Sequence, residues 1–140
     1  MFDTQRNEVL LEALERHGFR SGFPNMADFG RDARFVTLVH ISGVVLDLAL
    51  GCMPFEDELI ERSTEYPDPE ITARLPTPKD LIILKAIANR PQDQIDIRTI
   101  AEIRSNLDTK RIERWVREYG ELLETPHLWD EISKLLATST

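Results

Sequence analysis

The stretch that most constrains the fold of this chain runs from Leu75 to Ile97 and reads LPTPKDLIILKAIANRPQDQIDI. The Thr77 side chain can accept a hydrogen bond at a helix start, and Pro78 fits the first helical position because its missing N–H costs nothing there. Asp80 then lies near the positive end of the helix dipole. The pattern predicts a helix that begins at Pro78.

Lys85 is the one charged residue in the apolar part of this helix. Every other residue from Leu81 to Ala88 is apolar, so we expect the helix to be central and buried. Because burial of an unpaired ammonium is very costly, Lys85 must reach the surface, pair with a carboxylate or point into a polar cleft. Asp93 and Asp96 follow within reach. Two interpretations stay open, a surface-reaching lysine with two solvated acids, or a functional cluster.

Length and charge restrict the class of protein. A chain of 140 residues suits one domain, and a domain of this size buries roughly 70% of its extended surface. The net charge of −8 argues against broad nucleic-acid binding, which needs many lysines and arginines on phosphates. Cys52 is the only cysteine, so an intrachain disulfide and a cysteine-rich zinc site are excluded, and we expect it to be buried. No membrane-spanning segment or leader is expected, and a cytoplasmic location follows.

A β-hairpin is predicted in the first half of the chain. The runs 35–40 and 44–50 are rich in β-branched and apolar residues and flank the turn Ile41-Ser42-Gly43. Strand alternation places Val44, Leu46, Leu48 and Leu50 towards the core and Asp47 on the other face. Aspartate is depleted in strands, so Asp47 needs a reason. Two reasons stay open, a role in metal binding or a hydrogen bond to neighbouring backbone or to Lys85.

The remaining segments predict mainly helices. A helix through about His17 has Val9, Leu10, Ala13 and Leu14 on its apolar stripe, and residues 71–75 form a short strand before the central helix. The acids that follow Pro54 are explained by the helix dipole rather than by a metal site. Further helices begin at Gln92 or Asp93, at Asp108 or Thr109, and at Pro126; Trp115 and Trp129 fall on their apolar stripes. The predicted fold class is α+β, an antiparallel hairpin and a short third strand with a mainly helical C-terminal half.

The central stretch also resembles a known protein family. Its motif is Pro-x-Pro-x-Asp-Leu-Ile-x-Leu-Lys-x-x-Ala-x-Arg followed by Asp-x-x-Asp-Ile. This resembles the C-terminal half of small prokaryotic nucleotidyltransferase-fold proteins, the group that includes the abortive-infection (AbiE-type) toxin nucleotidyltransferases. The likeness extends from about Asp3 to about Leu136. It implies one domain with a truncated nucleotidyltransferase fold, a partial mixed sheet with helices over 1–75 and a helical half over 76–140.

The resemblance also implies roles for individual residues. Asp47 corresponds to the third metal-binding carboxylate of the family and would hold Mg²⁺ or orient the attacking hydroxyl. Lys85 would lie near the phosphates of a nucleoside triphosphate. The same resemblance places Arg90, Asp93 and Asp96 at the substrate, whereas Gln92 stands where family members commonly have a lysine, which weakens the case for a phosphate contact there.

The catalytic signature of that family is missing from this sequence. A Gly-Gly or Gly-Ser turn and a strand ending in an Asp-x-Asp pair are not found, so two of the three metal-binding carboxylates are missing. We therefore expect a nucleotidyltransferase-like protein with no transfer activity of its own, with Mg²⁺ only if a complete site forms. The alternative is a non-catalytic interaction module that self-associates or pairs with a complete nucleotidyltransferase or a toxin–antitoxin partner. A third interpretation places the missing half upstream of Met1 in the gene.

Overall fold

The computed structural model describes residues 4–21, 35–51, 53–104 and 106–137. By its internal contacts the chain divides into two compact units, Met1–Glu56 and Asp57–Thr140. The predicted α+β class is confirmed, with six helices, a three-stranded sheet and a two-stranded sheet in the described residues. The sequence predicts that Cys52 is buried, that residues 22–34 are part of an irregular connection and that residues 138–140 fray; these predictions lie outside the described part.

The first unit is a helix and a small antiparallel sheet. Helix α1 spans Thr4–Arg16, and strands β1 (Phe19–Ser21), β2 (Phe35–His40) and β3 (Val45–Ala49) pair in the order β1-β2-β3. The predicted hairpin is confirmed, and Gly43 in its turn has a φ of +87°, a conformation that favours glycine. Both described pairings of this sheet are antiparallel, and its third strand is β1.

The core of this unit forms on one face of the sheet. Alternation along β3 leaves Leu46 and Leu48 half-buried and Asp47 exposed, as predicted, whereas Val44 lies in the turn and is exposed. The predicted stripe of α1 is wrong in part, because Val9 and Leu10 are exposed and Leu11 is the buried residue. The cluster comprises Leu11, Val36, Leu38 and Leu50, with Leu14, Phe19, Leu46 and Leu48 packed against it.

The second unit is mainly helical. Helix α2 (Pro54–Arg62) begins at the end of the first unit and continues into the second. The two-residue strands β4 (Thr64–Glu65) and β5 (Arg74–Leu75) pair with each other. The predicted strand over 71–75 is thus reduced to its last two residues. Four helices follow, α3 (Pro78–Ala88), α4 (Pro91–Ile103), α5 (Thr109–Leu122) and α6 (Leu128–Ala137). None of the helices in the described residues is both long and apolar enough to cross a membrane.

Helix α3 is central to this unit, as predicted. It begins at Pro78 behind the Thr77 cap and packs against α4 and α5. Ile82, Ile83 and Ala86 are fully buried, while Leu81, Leu84 and Ile87 are half-buried, so one side of the helix is less covered than expected. Helix α5 has the predicted Asp108 cap, α4 begins one residue earlier than predicted, and α6 begins two residues after Pro126. Trp115 is buried, and Trp129 is half-buried.

Candidate functional site

Lys85 reaches from α3 to two carboxylates of α4. Its Nζ lies 2.6 Å from Asp96 Oδ2 and 3.5 Å from Asp93 Oδ1. The Asp93 side chain is almost fully buried, and those of Lys85 and Asp96 are partly exposed. The sequence leaves three possibilities for the Lys85 ammonium, namely reaching the surface, pairing with a carboxylate or pointing into a polar cleft, and the structure shows the pairing.

Arg90 and Gln92 complete this corner between α3 and α4. Arg90 donates from Nε to Asp93 Oδ2 at 2.7 Å and from its backbone N–H to the same oxygen at 3.1 Å. Gln92 donates from Nε2 to Asp96 Oδ1 at 2.9 Å. The structure thus brings together Lys85, Arg90, Asp93 and Asp96, the four residues of this unit that the sequence singles out, in what we call the corner cluster.

The two carboxylates of the corner cluster are already satisfied by protein groups. The hydrogen bond from Arg90 holds the pKa of Asp93 below its ordinary value against the opposing effect of burial. The hydrogen bond from Lys85, helped by that from Gln92, lowers the pKa of Asp96, and the hydrogen bond to Asp96 raises the pKa of Lys85. Each charge stabilises its partner, which is the pattern of a structural ion-pair network.

The corner cluster should make stability depend on pH at the acid end. Because the pKa values of Asp93 and Asp96 are lowered in the folded state, their contribution is present above the ordinary value of 3.8 and is lost as the pH falls through the lowered values. The raised pKa of Lys85 gives the opposite limit, since its contribution is full below 10.5 and is lost as the pH rises from there through the raised value. We expect the free energy of unfolding of Lys85→Met to fall less steeply at acid pH than that of wild type.

Urea unfolding at several pH values measures this effect. The difference in free energy of unfolding between wild type and Lys85→Met should be constant between about pH 5 and 9 and should change as the pH falls below about 4. Lys134→Met, at an exposed lysine of α6, is the matched control and should follow the wild-type curve. Parallel curves for wild type and Lys85→Met down to pH 2 would contradict the electrostatic role.

Asp47 has a simpler environment on the exposed face of the three-stranded sheet. Its Oδ1 accepts a hydrogen bond from Thr37 Oγ1 at 2.7 Å, and the two residues are cross-strand partners. The hydrogen-bond partners that the sequence suggests for Asp47 are neighbouring backbone and Lys85, and the observed partner is neither of these. No group of three or more His, Cys, Asp or Glu residues that could hold a metal ion occurs among residues 4–21, 35–51, 53–104 and 106–137. Asp47 belongs to the first unit and Lys85 to the second, and their joint catalytic role stays a prediction.

The same sheet face carries two exposed valines next to a cation and an anion. Arg20, Val39 and Val45 are aligned across β1, β2 and β3, and Thr37 and Asp47 form the next pair on this face. Val39 and Val45 are 38% and 60% exposed, large values for β-branched side chains within strands. We call these five residues the open sheet face.

A second ionic cluster in the helical unit, the Asp80 cluster, is not among the sequence predictions. Asp80 is fully buried, where the sequence suggests only a dipole partner. Its Oδ1 accepts from Arg111 Nε at 2.8 Å, and its Oδ2 accepts from Thr77 Oγ1 at 2.7 Å and from Arg62 Nε at 3.3 Å. Arg111 also donates to Glu58, and that hydrogen bond lowers the pKa of the Glu58 carboxyl. Asp80 thus joins α2, α3 and α5.

One sequence signal for this cluster exists. Arg111 precedes Trp115 by four residues, so it lies on the buried face of α5 and needs a buried anion. Which anion it meets depends on tertiary structure, since Asp80 is 31 residues away along the chain. Two of the acids after Pro54 have specific partners besides the helix dipole. Glu58 accepts a hydrogen bond from Arg111, and Glu56 accepts one from the Met53 backbone N–H at the helix start.

The chain is without a match among the known protein families and curated proteins with which it was compared. The corner cluster, the Asp80 cluster and the open sheet face are therefore interpreted from their own chemistry.

Proposed function

We propose that this chain is a non-catalytic interaction module that self-associates through the open sheet face. The observation that carries the proposal is the exposed cross-strand pair Val39 and Val45 on one face of a three-stranded sheet, with Arg20 beside Val39 on β1 and Asp47 two residues along β3 from Val45. Exposed apolar side chains that lie next to each other and are bordered by charge are typical of protein–protein contact surfaces.

The occupant we propose for this face is a second copy of the chain. A two-fold symmetric interface must be self-complementary, because each surface patch meets its own image. The open sheet face meets this condition, since it offers a cation on edge strand β1 and an anion on edge strand β3. In a face-to-face pair, Arg20 of one copy can lie against Asp47 of the other while the valines pack between them.

The proposed lack of transfer activity is supported by the environments of Lys85 and Asp47, the side chains to which the resemblance gives catalytic roles. Lys85 is held by Asp96 and Asp93, so its ammonium is committed to the protein rather than offered to a triphosphate. Asp47 is hydrogen-bonded to Thr37, and one carboxylate holds Mg²⁺ poorly without further ligands. Without the Asp-x-Asp pair, the main source of charge stabilisation in the transition state would be missing.

Light scattering coupled to size-exclusion chromatography tests self-association. We expect wild type to shift from monomer to dimer as concentration rises, and Asp47→Arg or Arg20→Asp to reduce the dimer by like-charge repulsion. The Arg20→Asp/Asp47→Arg double variant should recover it. Glu15→Arg, at an exposed residue of α1, is the control and should leave the dimer unchanged. A wild type that is strictly monomeric at high concentration, or single variants that dimerise as well as wild type, would overturn the proposal.

Nucleotidyl transfer has its own test. Purified protein is incubated with Mg²⁺ and radiolabelled nucleoside triphosphates, with and without tRNA, and we expect no label on protein or RNA. Labelling that Asp47→Ala abolishes would contradict the non-catalytic proposal and would favour a nucleotidyltransferase that uses Asp47.

A further inference from the structure

A cavity of about 510 Å³ lies within the helical unit beside the start of α3. Three helix ends border it. These are the last residue of α2, the first residues of α3, and the last residue of α4 together with the loop that follows it. It is separate from the open sheet face, whose residues all belong to the first unit. The lining residues are Arg62, Thr77, Pro78, Lys79, Ile103, Arg104, Asn106 and Leu107.

All three charged residues that line this cavity are cations, although the chain as a whole carries a net charge of −8. Arg62 uses Nε for Asp80, an anion that it shares with Arg111. Lys79 Nζ is 3.8 Å from Asp108, a distance at the outer limit of an ion pair. Arg104 pairs with no carboxylate of the described residues. Because Arg111 also pairs with Glu58, Asp80 and Glu58 balance the two arginines, and the positive charge of the cavity that no neighbouring acid neutralises is that of Arg104.

We propose that this cavity binds a small phosphate monoester with an apolar substituent. Arg104 offers a phosphate dianion a guanidinium with no carboxylate partner among the described residues, in a donor geometry that phosphate oxygens accept, and Arg62 and Lys79 line the same cavity. The start of α3 adds a favourable dipole at the same place. The cavity is more open than enclosed, and its volume falls within the range of about 300–1,000 Å³ that is common for ligand pockets.

The apolar substituent is inferred from the rest of the lining. Pro78, Ile103 and Leu107 border the cavity, and Ile103 is 72% exposed, a high value for an isoleucine at the end of a helix. A ligand with a ring or alkyl group next to its phosphate would cover this surface while the cations hold the phosphate. Inorganic phosphate would satisfy the cations alone and should bind more weakly.

Isothermal titration calorimetry at low ionic strength tests this with phenyl phosphate and inorganic phosphate as probes. We expect phenyl phosphate to bind at least several-fold more tightly than inorganic phosphate. Arg104→Gln should weaken phenyl phosphate binding about tenfold, the effect of losing one charge-assisted hydrogen bond. Lys79→Gln should weaken it too. Arg98→Gln, at an exposed arginine of α4 that does not line the cavity, is the matched control and should bind like wild type.

Circular dichroism shows whether the variants fold, and Arg104 is exposed at the end of α4, so its substitution leaves the core intact. Equal binding by wild type and Arg104→Gln, or no binding of phenyl phosphate at millimolar concentration, would overturn the proposal. Equal affinity for inorganic phosphate and phenyl phosphate would overturn the assignment of the apolar substituent. The dimerisation variants at Arg20 and Asp47 should bind phenyl phosphate like wild type, which separates this cavity from the self-association surface.

Discussion

Asp80→Ala is expected to lower the free energy of unfolding by about 3 kcal/mol, because it leaves two arginines without their shared buried anion. Arg111 has a side chain only 15% exposed, so its guanidinium cannot recover full hydration when Asp80 is removed. Arg62 is 43% exposed and regains water more easily, which keeps our expected value at the low end of the range for broken buried ion pairs. The Thr77 hydroxyl also loses its acceptor.

Urea denaturation followed by tryptophan fluorescence measures the loss, since Trp115 lies on the same helix as Arg111. Asp80→Asn should cost less than Asp80→Ala, because the amide keeps an oxygen for one donor. Glu121→Ala, at an exposed acid of α5, is the control and should stay within about 0.5 kcal/mol of wild type. A loss below about 1 kcal/mol for Asp80→Ala would show that water replaces the carboxylate and would contradict a buried structural anion.

A double variant separates the charge effect from lost packing. If the cost of Asp80→Ala comes from the unpaired guanidinium, then adding Arg111→Met should recover part of the stability, because it removes the buried charge and keeps a long side chain. Glu58 loses its partner in this variant, but its side chain is 37% exposed and can be hydrated. Additive losses for the two substitutions would instead indicate that packing carries the effect.

Features set by residues close in sequence could be predicted. The Thr77 and Asp108 caps depend on side chains within three residues of the backbone groups they bind, and both helices begin where predicted. The hairpin register follows from the alternation of residues and a three-residue turn. The corner cluster is a partial case: the sequence shows that Asp93 and Asp96 are within reach of Lys85, because they lie on consecutive helices joined by a very short connection, but it leaves open whether they pair.

Features set by contacts distant in sequence could not be predicted. The Asp80 cluster joins residues 18 and 31 positions apart, and helix periodicity alone does not show which anion meets which arginine. The predicted stripe of α1 is wrong in part for a related reason, since 3.6-residue periodicity fits both Leu10 and Leu11, and only packing against the sheet decides which one is buried. The cavity beside α3 is formed by three segment ends and has no local sequence pattern.

Leu38→Ala is expected to destabilise the first unit by about 2–5 kcal/mol. Leu38 lies at the centre of the cluster on β2 and is fully buried, with Leu11, Val36 and Leu50 as the other buried members. The lost transfer free energy adds to the cost of a cavity that a three-stranded sheet cannot easily close, because its strands are held in register by hydrogen bonds on both sides of β2. A loss of this size is a large fraction of the stability that a small domain has.

Hydrogen exchange resolved by peptide measures where this loss falls. We expect faster exchange of backbone amides in β2 and β3 of Leu38→Ala, while the amides of α3 and α5, whose core residues belong to the second unit, keep their protection. Val44→Ala removes apolar atoms at a 61% exposed residue of the hairpin turn and should change exchange little. If Leu38→Ala raises exchange in α3 and α5 as much as in β2, the two units unfold as one cooperative structure. In that case the small cluster under the sheet is stabilised by the whole chain rather than by its own eight apolar side chains.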